Sequence, residues 1–187
     1  MRRLVLVSIA LLTLALTAVA AEVPRRAPEF AFHLPGGQQV LLSEYRGKVV
    51  LLEMLYTTCP HCQHSAQMLS RLSTEYGPRG FQPLGVAFND MASLLVPDFI
   101  KQAQASFPIG YAPRDPVLAF LQHPTILRFV VPQMVLVDRK GMIRGQTTAE
   151  GDEAFYEEKS LREKIEALLK EPVAASRKAT SKKKQQP

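Results

Sequence analysis

Residues 48–56, Lys-Val-Val-Leu-Leu-Glu-Met-Leu-Tyr, constrain the fold more than any other stretch. A run this continuously apolar does not alternate, so it does not suit a strand with one wet face. It suits a strand covered on both faces, the position a parallel sheet creates when helices pack on either side. Directly after it the period changes. Ala66, Leu69, Leu72 and Tyr76 recur at helical spacing with polar residues between them, which predicts an amphipathic helix from Pro60 to the Gly77-Pro78 pair.

The rest of the chain continues this alternation. A strand over 30–34, a turn at Pro35-Gly36-Gly37 and a strand over 38–42 form a predicted hairpin, followed by a helical turn at 43–45. Further strands are expected over 81–88, 107–111, 127–137 and 142–148. Helices are expected over 93–106, with Pro97 in the first turn, and over 116–121. Residues 138–141, Asp-Arg-Lys-Gly, form a turn. A closing helix over 152–170 has Asp152 as its cap and Phe155, Leu161, Ile165, Leu168 and Leu169 as its apolar stripe. This order predicts an α/β fold in three layers: a central mixed sheet flanked by helices, with an N-terminal β-extension.

The two ends read differently from the middle. Arg2-Arg3 precedes an apolar run that ends in Ala18-Val19-Ala20, the layout of a secretory signal peptide over residues 1–20 with cleavage after Ala20. An uncleaved membrane anchor is the alternative, because the run is about long enough to span a bilayer. Either reading places the domain outside the cytoplasm, periplasmic or secreted. Residues 21–29 read as a linker, 30–170 as one folded domain, and 171–187 as a basic tail whose composition predicts disorder. The overall charge of +6 comes from the ends: setting aside Arg2, Arg3 and the five basic residues of the tail leaves 16 basic against 17 acidic residues. The domain is therefore near neutral and offers nothing for nucleic acid.

Cys59 and Cys62 are the only cysteines. Stabilisation by a disulfide grows with the loop it closes, so a bridge across a two-residue gap would staple almost nothing. The spacing serves exchange chemistry better. Cys59 follows the buried strand and opens the helix, where free N–H groups and the positive end of the helix dipole favour thiolate, the attacking species. Pro60 at the first helical turn gives up an N–H that has no partner there. Cys62, one turn on, is expected to be the buried resolving sulfur. His61 between them can carry positive charge, which would stabilise the Cys59 thiolate and make the disulfide the stronger oxidant.

Two more residues stand out. Glu53 lies inside the apolar strand, where a carboxylate is costly unless protonated or used. Burial would raise its pKa and fit it to exchange a proton with Cys62; the alternative turns Glu53 to solvent. Pro132 interrupts 127–137, and proline is tolerated there at a bulge, an edge or a cis turn.

With these residues in view, the chain resembles the thioredoxin superfamily, in its exported TlpA-like redoxin branch. The resemblance rests on Gly47-Lys48-Val49-Val50 leading the strand, Cys59-Pro60-His61-Cys62 opening the helix, Val131-Pro132 before a strand, and Val137-Asp138-Arg139-Lys140-Gly141 in the hairpin turn. It implies a thioredoxin-like fold and exchange of disulfides with protein thiols. Cys59 would be the nucleophile, Cys62 the resolving cysteine, and Val131-Pro132 a cis-proline loop that presents backbone to a substrate peptide. No bound cofactor is implied, and the redox partner would be membrane-bound or soluble. The Pro-His dipeptide and Glu53 are similar to the disulfide-forming protein DsbA. Thr58 stands where redoxin relatives commonly carry Trp, and Ser65 where many reducing TlpA-like proteins carry Glu. His61 and Glu53 lean toward oxidation or isomerisation, whereas the scaffold leans toward reduction. A metallochaperone holding copper or zinc through Cys59, Cys62 and His64 is the alternative of a different class.

Overall fold

The computed structural model describes residues 22–124 and 128–172. The expected signal segment, the tail beyond 172 and Leu127 at the start of an expected strand lie outside the described residues.

One mixed sheet organises the chain. Its strands are β1 (Arg25–Arg26), β2 (Ala31–His33), β3 (Gln39–Leu41), β4 (Val49–Leu55), β5 (Phe81–Ala87), β6 (Ile109–Tyr111), β7 (Gln133–Val137) and β8 (Met142–Gln146). Their spatial order is β1-β8-β7-β4-β5-β6-β2-β3. Strand β4 runs parallel to β5 and antiparallel to β7, and all seven of its residues are buried. The non-alternating apolar run thus occupies the position it predicts, at the centre and covered on both faces.

Among the described residues five α-helices flank the sheet: α1 (Pro60–Tyr76), α2 (Ala92–Ala103), α3 (Arg114–Leu121), α4 (Glu153–Tyr156) and α5 (Glu158–Lys170). Alternation along β4 divides the core. Leu51 and Leu55 face α1, α2 and α5 and pack with Leu69, Leu72, Phe99 and Ile165. Leu52 and Met54 face the other way, toward Phe30 and Phe32 of the N-terminal segment and Phe120 of α3. Each such side chain contributes about 1.5–3 kcal/mol when fully buried. The expected three-layer α/β class is what the chain adopts.

Several local expectations are corrected. The described part of the expected linker, residues 22–29, joins the domain: Arg25–Arg26 pairs antiparallel with β8, Ala27 and the adjoining Phe30 are buried, and Arg25 Nη2 donates to Phe120 O (3.1 Å) and Gln146 Oε1 (2.8 Å). At the other end Glu171, expected to begin the tail, forms an ion pair with Arg144 at 2.9 Å. Helix α2 starts at Ala92 and stops at Ala103, so Pro97 lies in its second turn, not its first. Ser106 has left the helix, and its amide donates to Ser70 Oγ (3.1 Å). The closing helix breaks at Glu157, which is extended (φ −81°, ψ 120°). The break gives Phe155 and Leu161, both buried, separate helices to be buried from. Asp152 does cap α4, accepting from the Ala154 amide (2.9 Å). The 127–137 strand begins only at Gln133, after Pro132.

The N-terminal β2–β3 hairpin reaches the main sheet through β6, where His33 pairs with Tyr111. The approach there is so close that a Cβ on Gly110 would lie 2.2 Å from His33 O and 2.7 Å from Phe32 Cδ2. Gly110→Ala is therefore expected to destabilise the fold by about 1–3 kcal/mol or more. Urea unfolding should show a lower midpoint with an unchanged slope.

Candidate active site

Strand β4 delivers the chain to the start of α1 through Tyr56, Thr57 and Thr58. The turn is clamped from β5: Asn89 Oδ1 accepts from the Thr57 amide (2.9 Å), and Asn89 Nδ2 donates to Thr57 Oγ1 (3.0 Å). Cys59 then occupies the N-cap of α1 in an extended conformation (φ −90°, ψ 118°), with Pro60 at the first helical position. Its Sγ accepts from the Cys62 amide at 3.4 Å, one of the helix's free N-terminal donors. This sulfur therefore lies at the positive end of the helix dipole. Cys59 is half-buried, and Cys62 is fully buried under α1; both are free thiols. The unequal exposure expected of the pair is present.

Opposite Cys59 runs the loop before β7. The Val131–Pro132 peptide is cis, and Val131 O lies 3.8 Å from Cys59 Sγ. Pro132 precedes an interior strand, between β4 and β8, instead of interrupting it or lying on an edge. Side chains lock this loop. Gln133 Nε2 donates to Val130 O (3.1 Å), Thr147 Oγ1 donates to Gln133 Oε1 (2.6 Å), and the Met134 amide donates to Thr147 Oγ1 (3.1 Å). Tyr156 Oη donates to Pro132 O (2.7 Å). Tyr156, Thr147, Gln133 and the Thr57–Asn89 clamp had no sequence signal, because each acts through a contact between segments far apart in the chain.

Beneath the cysteines lies Glu53, with no exposed surface. It projects from the α1 side of β4, so the reading that turns it to solvent is wrong. Oε1 accepts from Ser65 Oγ, and Oε2 has no partner among the described residues. Burial pushes the carboxyl up to about 8, and the Ser65 hydrogen bond acts in the opposite direction. Burial likewise pushes the Cys62 thiol far up, and the Glu53 charge adds to this. Burial thus favours the protonated form of both groups.

His61 is exposed on the first turn of α1. With His64, Met68, Val130, Glu150 and Tyr156 it lines a groove of about 420 Å³ beside the cis-proline loop. Among the described residues no group of three or more His, Cys, Asp or Glu side chains converges to hold an ion, so Cys59, Cys62 and His64 are not drawn together as the metal alternative would need for a three-ligand site.

Comparison with known proteins agrees with this geometry. Residues 22–165 match the Redoxin family. A thiol-disulfide oxidoreductase ResA of Geobacillus kaustophilus is 32% identical over 146 residues, covering 75% of this chain and 79% of the relative. The ResA protein of Bacillus cereus is 24% identical over 138 residues, covering 72% and 76%. Among solved structures, a Chlorobium tepidum protein described as thiol:disulfide interchange protein DsbE superposes with a TM-score of 0.66 at 25% identity, covering 79% of this chain and 98% of that one. A Bacteroides thetaiotaomicron protein described as a protein disulfide isomerase gives 0.65 at 26%, covering 80% and 91%. A half-exposed and a buried thiol at one helix N-terminus, a facing cis-proline and a family match over residues 22–165 lead to one conclusion: the chain belongs to the redoxin family of the thioredoxin superfamily and is a thiol–disulfide oxidoreductase.

Proposed function

We propose that this chain exchanges disulfides with protein substrates outside the cytoplasm, with Cys59 as nucleophile and Cys62 as resolving sulfur. The observation that carries the reading is the pairing of a half-buried Cys59, capping α1 beside Val131 O, with a buried Cys62 over a protonatable Glu53. Export is supported by the signal-like layout of residues 1–20. No helix among the described residues is long and apolar enough to cross a membrane.

In the oxidising direction a substrate thiolate attacks Cys59 Sγ of the Cys59–Cys62 disulfide. The new bond joins substrate sulfur to Cys59, and the electron pair of the broken bond leaves on Cys62. Glu53, protonated near neutrality, gives that sulfur its proton. A second substrate thiolate then displaces Cys59, so the substrate leaves oxidised and the chain reduced. In the reducing direction each step reverses: Cys59 attacks the substrate disulfide, Glu53 takes the Cys62 proton, and Cys62 displaces the substrate sulfur from Cys59. Val131 and Pro132 present backbone to the substrate segment while this occurs.

Oxidation or isomerisation is the favoured direction. A Glu53 that holds its proton near pH 7 serves the step in which Cys62 leaves as thiolate, and His61 on the first turn of α1 adds a group able to carry positive charge beside Cys59. The relative described as a protein disulfide isomerase supports the same direction.

Cys59→Ser should lower exchange by on the order of 10³-fold or more. Cys62→Ser should instead accumulate a mixed disulfide with substrate, visible on non-reducing gels. Full exchange by the Cys59→Ser protein would remove the mechanism.

Glu53 also makes stability depend on pH. Between its ordinary value of 4.5 and the folded value of about 8, the folded chain holds a proton that the unfolded chain has released. Stability therefore falls as pH rises across that window, by on the order of a few kcal/mol in all. Urea unfolding of the reduced protein at pH 5 and pH 8 should show this loss, and Glu53→Gln should largely abolish it.

A further inference from the structure

Glu53 needs a hydrogen-bonding partner, and the sheet offers none. Its register neighbours are Gly85 on β5 and Met134 on β7, neither with a polar side chain to give. The partner comes from α1. Ser65 lies one turn beyond Cys62 and is 7% exposed. Its Oγ meets Glu53 Oε1 on one side and Cys62 O (3.1 Å) on the other. It also forms part of the wall of the 420 Å³ groove that holds His61 and His64.

A hydroxyl carries one hydrogen, which can turn to either of the two neighbours of Ser65. When Glu53 is ionised, the Ser65 hydrogen turns to Oε1. When Oε2 takes up the Cys62 proton, Oε1 becomes the carbonyl oxygen of the neutral acid and still accepts from Ser65, more weakly than the carboxylate does. Oε1 is thus bonded in both states, and the stronger bond to the ionised form opposes the upward push of burial. Without the hydroxyl both carboxyl oxygens would be buried with no partner among the described residues, at a cost of about 1–3 kcal/mol for the group newly orphaned.

We infer that Ser65 is the positioning residue of the proton-transfer step: its hydroxyl engages Glu53 in both protonation states, keeps Oε2 free for the Cys62 proton, and connects the carboxyl to the water-accessible groove. The inference rests on the reading of Glu53 as the proton partner of Cys62. Ser65 touches no substrate and acts only through Glu53.

The test is the pH–rate profile for reduction of the Cys59–Cys62 disulfide by dithiothreitol, and for reoxidation of the dithiol by a disulfide-bonded peptide, in wild type, Ser65→Ala, Ser65→Thr and Glu53→Gln. Alanine suits a helix, so Ser65→Ala retains the fold. Loss of the hydroxyl removes the bond that opposes burial, so the inflection assigned to Glu53 should move to higher pH by about one unit, and reoxidation at pH 7 should slow roughly tenfold, the rate equivalent of that shift. Ser65→Thr keeps the hydroxyl and should restore the wild-type midpoint; a packing role alone would move neither. Glu53→Gln should remove the inflection. A Ser65→Ala profile that superimposes on wild type, with the inflection lost in Glu53→Gln, overturns the role of Ser65 and leaves that of Glu53 standing. An inflection that survives in Glu53→Gln overturns both.

Discussion

A carboxyl group in the middle of the central strand is the constraint around which this site is built. Glu53 is flanked along β4 by Leu52 and Met54 and across the sheet by Gly85 and Met134. Nothing there compensates a negative charge, so the group holds its proton far above the ordinary carboxylate range. The single polar partner comes from α1, from the same turn that buries Cys62. The feature that weakens the core at high pH is thus the same group proposed to exchange a proton with Cys62.

The cysteines differ because two separate structures meet at Cys59 and only one reaches Cys62. Cys59 lies where β4 ends and α1 begins, so it has helix N–H groups behind it and the Val131 carbonyl in front. Cys62 lies on the inward face of α1 and sees the sheet. The cis-proline loop is held at the height of Cys59 by Gln133, Thr147 and Tyr156, residues from β7 and from beyond β8. Under the proposed mechanism a substrate sulfur must reach one cysteine and not the other, and the unequal exposure of Cys59 and Cys62 fits that need.

Much of this was legible in the sequence where the signal is local. The non-alternating, largely apolar run placed β4 at the sheet centre, the period change placed α1, and Cys59, Pro60 and Cys62 took their expected helical positions. Glu53 stood out because it broke an apolar pattern, and Pro132 because it broke a strand pattern. What was not legible depends on distant partners. β1 exists only because β8 offers an edge and the core accepts Ala27 and Phe30. The break at Glu157 left no mark in the apolar spacing, since Phe155 and Leu161 are each buried from their own helix. Ser65 was visible as a departure from the reducing relatives' Glu; its bond to Glu53 joins a helix to a strand and leaves no trace in either pattern.

The central claim is that Glu53 is a protonated acid at the heart of the reduced protein, and the most direct test is its own titration. Carboxyl ¹³C NMR of the reduced, glutamate-labelled protein, with Glu53→Gln identifying the resonance, reads its protonation state without reference to activity. The account predicts a midpoint near 8 for this one carboxyl. A midpoint in the ordinary range, near 4.5, would contradict it.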